Sequence, residues 1–342
     1  VTFVTMAYIV VLNPLIIGNK PDKGNKLISG LDYYSKFISP DNPGNVVNSD
    51  NVDKTKILVF AATALLAGVM SILMGVFGRF PVALAAGLGL NGLLAFVIAP
   101  QMSWPQALGL MILGGAIMFV LVLTGFRLAV FRAVPEALKY SIGAGIGLFI
   151  ALIGLTDAGI VRTGKPLVTF GVYGQLAGWP IFTFVFGLLL IMVLVALRVR
   201  GGILIGLVAT TTLAVIIQKF AGDGKGLGQQ SDTNPTGWGL NVPSLPDKIV
   251  DFTNPSSLWH LDLFGGFKAV GALTAIILIF TLLLSDFFDS IGTVTGLAAE
   301  ADLLQEDGEI EHIREILVVD SVAVMAGAAG GTSSNTAYIE SA

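Results

Sequence analysis

The sequence predicts an all-α, polytopic membrane protein, and three observations lead to that prediction. Hydrophobic residues make up 54% of the chain and charged residues only 12%, whereas about a quarter of the residues in soluble domains are charged. Apolar runs of roughly 18 residues, the length that crosses a bilayer as a helix, recur along the chain. Two further segments are rich in glycine and are not expected to form continuous helices. A soluble globular fold is therefore excluded.

The predicted helices follow the apolar runs in order. They cover residues 1–17, 57–78, 82–99, 105–125, 138–156, 178–198, 202–219, 268–297 and 313–330, with a tenth element from about Thr332. Two long polar loops, 18–56 and 220–267, lack the apolar periodicity that a separate core would need. The chain starts in an apolar run without a methionine and stops within a predicted element, so both ends are expected to be truncations.

Basic residues in the short loops predict the orientation. Alternating the helices puts the following on one side: Arg79, Arg127, Arg132, Lys139, Arg198, Arg200 and Arg314. The opposite short loop carries only Arg162 and Lys165. Because short cytoplasmic loops are enriched in lysine and arginine, the first group is expected to face the cytoplasm and both long loops to face outward.

Two predicted spans are interrupted by glycine. Phe80–Ala99 contains Pro81, Gly87 and Gly89 early in the span, and Gly327–Ala342 is both polar and glycine-rich. Irregular backbone survives at membrane depth only where protein or a water-filled cavity satisfies it. Paired interruptions in corresponding positions of two halves point to the binding site of a transporter. Their spacing predicts two repeats of about seven helices, with the second repeat cut short.

Two aspartates, Asp286 and Asp289, lie towards the end of the long apolar helix 268–297. A charge at membrane depth costs on the order of 3 kcal/mol and usually marks a substrate or ion pathway. At a spacing of three, the two carboxyls share a helix face with Ser290 and Thr293. Two carboxylates so close are not expected to be ionised together, so one can hold a proton or meet a substrate N–H. A pair hydrated by headgroups at the helix end is the simpler alternative.

Three further polar positions stand out. Glu340 follows a row of hydrogen-bonding residues and Tyr338 adds an aromatic face, although a loop position would explain both equally well. Asn91 lies in the glycine-rich stretch GLGLNG, where a lone amide more often packs helices than binds a ligand. Asp320 lies within a predicted helix and can pair with a neighbour. The chain has no cysteine, no GxxxxGK(S/T) phosphate loop and no basic cluster, so neither a cofactor, a metal nor nucleic acid is expected.

At these motifs the chain resembles the AzgA-like purine nucleobase permeases, within the nucleobase–ascorbate transporter class. The matching stretches, in the order of the family, are TFVTMAYIVVLNP, AGLGLNG, ALKYSIGAGIGLFIALIGLTDAGI, FFDSIGT and GTSSNTAYIES. The resemblance implies inverted seven-helix repeats, with a short strand and a half-helix in both the third and the tenth helix. It further implies a core domain of residues 1–125 and 268–342, a gate domain of 126–220 and an extracytoplasmic loop of 221–267. Helices 11–14 of that fold would then be missing.

The same resemblance implies the function and the site. Family members carry adenine, guanine and hypoxanthine, usually by proton symport, so a plasma-membrane transporter with an elevator-type motion of core against gate is expected. Its partners would be a purine, a proton and the lipid bilayer, and a homodimer is compatible with it. The residues implied around the base are Asn91, Asp286, Asp289, Glu340 and Tyr338, with the backbone of Gly89, Leu90, Ala337 and Ile339. Asp286 and Glu340 are expected to grip the base and Asp289 to couple the proton, although the aspartates can exchange roles.

Two alternatives remain open. A transporter of the same fold could carry uracil, xanthine or an inorganic anion, but an anion needs a basic group or a bare half-helix N-terminus, and no lysine lies near the motifs. An intramembrane aspartyl protease needs aspartates from two helices, whereas Asp286 and Asp289 lie one turn apart on one helix. Phe287 or Phe288 could stack on a base, but packing explains both at least as well. Uptake of unmodified base without product would discriminate a transporter from an enzyme.

Overall fold

The computed structural model describes residues 8–34, 47–133, 135–163, 168–199, 201–221, 228, 230, 234–239, 242–243, 254–301, 303 and 310–338. Its α-helices are α1 Ile9–Ile17, α2 Ser49–Leu73, α3 Leu88–Leu93, α4 Trp104–Leu123, α5 Phe126–Ala133, α6 Glu136–Asp157, α7 Trp179–Ala196, α8 Gly202–Ala221, α9 Gly265–Val270, α10 Ala272–Glu300 and α11 Ile313–Ala329. Its strands are β1 Leu84–Ala86, β2 Val161–Thr163, β3 Val168–Phe170 and β4 Asn335–Ala337. Single π-helical turns extend α2 over Met74–Gly78 and α3 over Leu94–Ile98.

Within these ranges, five helical segments are long and apolar enough to cross a bilayer. They are Ser49–Gly78, Trp104–Leu123, Trp179–Ala196, Gly202–Phe220 and Ala272–Ala299. Large apolar side chains stay exposed along them, such as Ile72 at 67%. In water, apolar patches on this scale would mark interaction surfaces, but on membrane-length helices they are the expected lipid-facing surface. The predicted mostly helical, polytopic membrane protein is confirmed.

The chain divides into two compact units. One unit contains the described residues of Met6–Ile146 and Phe252–Ala342, and the other those of Gly147–Asp251. In the second unit, α7 packs on α8 because Gly187 and Gly206 leave room for the facing side chains of Thr210 and Ile191. Part of the long loop after α8 folds back on that helix, since Trp238 Nε1 donates to Gln218 Oε1 at 2.8 Å.

The first unit contains the interrupted segments, and its core lies between α2, α4, α10 and α11. Helix α4 approaches α11 at Gly115, where a Cβ atom would lie 2.8 Å from Met325 Cγ and 3.0 Å from Val324 Cγ1. Small residues at such crossings let two membrane helices come close enough for dispersion contacts. The N-terminus of α4 is held by the loop before it, because Asp22 Oδ2 accepts from Trp104 N at 3.1 Å.

Strands β1 and β4 form a two-stranded sheet inside this unit. They pair antiparallel with the register Leu84↔Ala337, Ala85↔Thr336 and Ala86↔Asn335. Two flanking bonds extend the pairing: Gly87 N donates to Ser334 O at 2.8 Å, and Tyr338 N donates to Ala83 O at 3.1 Å. The pairing satisfies backbone groups that would otherwise be costly in a membrane interior. It also brings the segment before α3 against the segment after α11.

The chain enters β4 through a strained turn. Gly331 has φ 74° and Ser333 has φ 70°, and the second value is uncommon for a residue with a side chain. Gly331 fits against Leu258, a buried residue of the 3₁₀ turn Pro255–Leu258. The end of the predicted loop 220–267 therefore packs into the core here, whereas the sequence predicts only a solvent-side loop.

One predicted helix boundary, one predicted loop and one predicted continuous helix are wrong. Helix α2 begins at Ser49 rather than 57, because Asn48 Oδ1 accepts from Asn51 N at 3.2 Å and starts the helix in polar sequence before its apolar run. Helix α5 lies where the sequence predicts a loop. The helix was missed because it has only eight residues, two of which are arginines. Gly271, with φ 84°, separates α9 from α10 inside the predicted helix 268–297. The first seven residues of the predicted helix 1–17 lie outside the described residues.

Candidate functional site

Asp286 lies in the middle of α10 and is only 4% exposed. Its Oδ1 accepts a long hydrogen bond of 3.4 Å from Ser334 Oγ, just before β4. Its Oδ2 lies 4.0 Å from Arg127 Nη2 of α5, and no described residue donates a hydrogen bond to that oxygen. The carboxyl that the sequence singled out therefore stands where α10, α5 and the segment before β4 meet.

Arg127 is the cation of this site, and its side chain is 1% exposed. Nη2 donates to Asp320 Oδ2 at 2.8 Å, and Nη1 donates to Ser321 Oγ at 2.8 Å and to Leu317 O at 3.2 Å. The planar guanidinium suits this role because it offers five donors in a fixed fork. The predicted place of Arg127 in a loop is wrong, because α5 carries the side chain into the core against α11.

Asp320 is the second carboxyl of the cluster and is fully buried in α11. Besides the arginine, Ser290 Oγ of α10 donates to its Oδ2 at 2.7 Å. A buried charge is costly unless it is paired and hydrogen-bonded, and Arg127 neutralises Asp320 at short range. Asp286 is the carboxyl in excess: the cluster of Arg127, Asp286 and Asp320 contains two acids and one base.

Asp289 lies one turn further along α10 and is half-buried. Its neighbours Phe287 and Phe288 meet edge to face, with ring centroids 5.5 Å apart. Phe287 is buried in the apolar cluster that also contains Leu84 and Ile291, whereas Phe288 is 37% exposed. Phe288 is therefore the more accessible of the two rings.

Asn91 of α3 is fully buried and takes part in a network of buried side-chain hydrogen bonds, centred on Asn13, that we call the polar knot. Its Nδ2 donates to Asn13 Oδ1 at 2.7 Å. The amide of Asn13 in turn donates to Thr63 Oγ1 at 2.8 Å and to Thr332 O at 3.1 Å. The knot thus joins α1, α2, α3 and the turn before β4. Asn91 Oδ1 has no hydrogen-bond donor among the residues that the structure describes.

The segment around β4 contributes buried polar groups. Tyr338 is buried and its hydroxyl donates to Ala86 O of β1. Asn335 is also buried, and neither atom of its amide has a partner within the described ranges. Ala337 pairs with Leu84, while Gly89 is exposed and Leu90 buried. Glu340 and Ile339, two of the residues that the sequence predicts for the site, lie outside the described residues.

A small cavity adjoins Asp286. Its walls include Leu90, Gly115, Val324 and Ser334, and the centre of a water molecule has only about 10 Å³ in which to move. That volume is at the lower limit for holding a single water. The cavity joins residues of α3, α4, α10 and α11, so Asp286 is approached from elements far apart in the sequence.

Arg127 and Asn13 are the site residues that sequence reasoning missed. For Arg127 the available signal was an arginine flanked by apolar residues in FRLAVF, since charges embedded in apolar sequence usually have a partner. For Asn13 it was a single amide inside an apolar run. The expectation that Asp320 pairs with a neighbour is confirmed, and the neighbour comes from residue 127, far away in sequence.

Comparisons with known proteins agree with the resemblance noted above. A family model described as a permease family matches residues 42–342. The chain is 32% identical to the guanine/hypoxanthine permease PbuG of Bacillus subtilis, over 99% of this chain and 67% of that protein. It is 32% identical to the adenine permease AdeQ of Escherichia coli, over 99% of this chain and 64% of that protein. The nucleobase transporter PlAzg2 of Paenibacillus larvae is 25% identical over 82% of this chain. The chain thus spans about two thirds of the length of the first two relatives.

Proposed function

The chain belongs to the permease family matched over residues 42–342, and on that premise we propose that it forms the greater part of a secondary transporter for purine nucleobases. The observation that carries the proposal is Asp286, a buried carboxyl with one oxygen that receives no hydrogen bond from any described residue. Relatives that match almost the whole chain are named as guanine/hypoxanthine and adenine permeases. Adenine, guanine and hypoxanthine are therefore the proposed substrates.

The chemistry of a purine suits the polar atoms near this point. Purines present ring and exocyclic N–H donors, and carboxylates and amide oxygens accept from such donors. Asp286 Oδ2 and Asn91 Oδ1 are two buried acceptors without a donor in the described structure. We assign the grip on the base to Asp286 and Glu340, with Asn91 and Tyr338 beside it and Asp289 as the coupling carboxyl. Asp286 is the more buried of the two aspartates, and in the alternative assignment the two exchange these roles.

The proposed transport cycle follows from the family. The base would enter with a proton, and an elevator-type motion would carry a core domain, residues 1–125 and 268–342, past a gate domain, residues 126–220. Helix α5, whose Arg127 is bound to Asp320, would have to move with the core, so the boundary would lie after α5. We propose in addition that the fold contains inverted repeats and that the protein forms a homodimer. It would lie in the plasma membrane with both long loops outward. Binding a purine needs more space than the cavity beside Asp286 offers. The segments that carry Leu90 and Ser334 would therefore move away from α10 as the base enters.

A carrier of inorganic anions is the less favoured alternative. Such a carrier needs an uncompensated positive charge at its site. Arg127 is a buried cation beside Asp286, but its shortest ion pair, 2.8 Å, is with Asp320. Asp286 then adds a second acid, so the cluster as a whole would repel an anion.

An aspartyl protease is disfavoured on similar grounds. Asp286 and Asp320 do come from two helices, as that chemistry requires. However, the guanidinium of Arg127 is bound to Asp320 and within 4.0 Å of Asp286, and a protease dyad shares a proton between its carboxyls instead. Membership of a permease family also points to a transporter rather than an enzyme.

Binding of radiolabelled adenine, guanine and hypoxanthine to the purified full-length protein tests the proposal. We expect Asp286→Asn and Glu340→Gln to abolish binding and Asp289→Asn to weaken either affinity or coupling. Asp53→Asn is the matched control, since its side chain is 68% exposed on α2, and it should bind as the parent does. If all three site variants bind like the parent, the site assignment is wrong. A parent that binds none of the three bases would contradict the substrate class.

A further inference from the structure

The buried charge cluster holds one cation between two acids at unequal distances. Arg127 Nη2 lies 2.8 Å from Asp320 Oδ2 and 4.0 Å from Asp286 Oδ2. The first distance is a charge-assisted hydrogen bond, and the second lies just beyond hydrogen-bond reach. A movement of the guanidinium on the order of 1 Å would therefore bring Nη2 within reach of Asp286.

The guanidinium has donors to spare for such a movement. Nη1 is engaged with Ser321 Oγ and Leu317 O, and Nη2 with Asp320. Nε has no acceptor within the described part of the chain. Because a guanidinium has five N–H donors, it can donate to Asp286 as well as to Asp320 and still keep its hydrogen bonds to Ser321 and Leu317.

The other groups facing Asp286 do not offer this compensation. Its own helix adds another acid, Asp289, one turn away, and the segment before β4 adds only the neutral hydroxyl of Ser334. Helices α3 and α4 present Leu90, Gly115 and Met118 along the adjoining cavity. Among the described residues around Asp286, Arg127 is therefore the group able to neutralise its charge.

We propose that Arg127 is a positioning residue for proton coupling: its guanidinium moves towards Asp286 when that carboxyl loses its proton and is held by Asp320 alone when the proton is present. This inference rests on the proposed transport of purines with protons, and within it on the exchanged roles, in which Asp286 rather than Asp289 holds the proton. In the deprotonation step, the O–H bond of Asp286 breaks and the proton passes to water, which leaves two carboxylates to share one guanidinium. Asp320 keeps the cation buried throughout, so that Asp286 can change charge without an unpaired cation in the core.

Two transport measurements in proteoliposomes containing the full-length protein test the proposal. Accumulation of labelled purine against its gradient, driven by an imposed pH gradient, requires proton coupling. Exchange of labelled for unlabelled purine at equal pH requires binding and movement but no net proton release. A residue with a merely structural role would change both, whereas loss of the coupling counter-charge should abolish accumulation and leave exchange.

The double variant Arg127→Gln/Asp320→Asn removes the ion pair without leaving either charge buried alone. We expect it to lose accumulation in much larger proportion than exchange. Arg127→Lys retains a cation but not the fork, so it should restore part of the accumulation. Arg314→Gln, an exposed arginine of α11, is the control and should match the parent in both measurements.

A folded double variant that loses exchange in the same proportion as accumulation shows a structural role and overturns the proposal. Accumulation by the double variant at the parent's level overturns the proposal. If the double variant does not fold, Arg127→Lys decides: selective loss of accumulation supports the proposal, and loss of exchange in equal proportion shows a structural role and overturns it. A parent that neither exchanges nor accumulates any purine refutes the proposed function, and this inference with it.

Discussion

Arg127 owes its position to its partners rather than to its local sequence. The side chain is buried, and three acceptors from α11 receive hydrogen bonds from its two terminal nitrogens. Removing one member of such a pair costs far more than the pair itself contributes, because the remaining charge stays buried without compensation. The pair is therefore a constraint on the fold as well as a candidate part of the mechanism.

Arg127→Gln is expected to lower the free energy of unfolding by about 3–5 kcal/mol, because it leaves Asp320 as an uncompensated buried carboxylate. Thermal unfolding of the purified protein in detergent would show this as a lower midpoint. Arg127→Met/Asp320→Leu should recover most of the loss, since apolar groups of similar size replace both charges. Arg314→Gln should leave the midpoint unchanged. An Arg127→Gln variant as stable as the parent would mean that the guanidinium is not buried against Asp320.

Asn13→Leu tests the polar knot. The substitution keeps the side chain's approximate size but removes the acceptor of Asn91 Nδ2 and the donor to Thr332 O. We expect a loss of about 1–3 kcal/mol, the cost of leaving buried polar groups unpaired, measured as the shift in thermal midpoint. Thr156→Ala is the control because that exposed hydroxyl bonds only within its own helix. Equal midpoints for Asn13→Leu and the parent would contradict the knot.

Sequence reasoning found the site residues that contrast with their surroundings and missed those that do not. Asp286 and Asp289 stand in a long hydrocarbon run, so their cost in a membrane makes them conspicuous. Arg127 lies five residues before a second arginine, Arg132, and eight before Pro135, a stretch in which a short loop is the simpler interpretation. Only the packing of α5 on α11 distinguishes a buried arginine from a loop charge, and that packing involves residues about 190 positions away.

The contact of α4 with α11 gives a prediction about helix packing. Gly115→Ala would put a Cβ atom 2.8 Å from Met325 Cγ, and overpacking of this kind costs about 1–3 kcal/mol. Gly145→Ala in α6 is the matched control, since a Cβ there meets nothing within 4 Å. It should be neutral or stabilising by up to about 1 kcal/mol, the usual gain of alanine over glycine in a helix.

Gly115→Ala should therefore lower the thermal midpoint, whereas Gly145→Ala should leave it unchanged or raise it. Because Gly115 also lines the cavity beside Asp286, Gly115→Ala should weaken purine binding in the assay described above, whereas Gly145→Ala should not. If the two variants have the same midpoint, α4 and α11 do not pack through Gly115.

Helix existence was easier to predict than helix boundaries. The apolar runs identified α4, α7, α8, α10 and α11, because burial in lipid dominates over local propensity. The start of α2 was misjudged, because its first turn is polar and is set by the cap at Asn48. The break at Gly271 was missed for the opposite reason: the hydrophobic run continues through it while the backbone does not.

Across the chain as a whole, composition and the recurring apolar runs predicted a polytopic membrane protein, and the five membrane-length helices confirm it. The pairing of β1 with β4 is different in kind. Its register joins Leu84 to Ala337, and no local pattern specifies a partner about 250 residues away. Glycine content indicated that both segments were irregular, but only the tertiary fold determines that they meet and which side chains they bring to Asp286.

Proton-driven uptake by the full-length protein tests the central claim most directly. Labelled adenine, guanine or hypoxanthine would be offered to proteoliposomes with and without an imposed pH gradient, and the recovered label would be analysed chemically. We predict that at least one base accumulates unmodified above its external concentration only when the gradient is present, and that Asp286→Asn abolishes this accumulation. Uptake that ignores the gradient, or label recovered as a reaction product, would contradict proton-coupled purine transport.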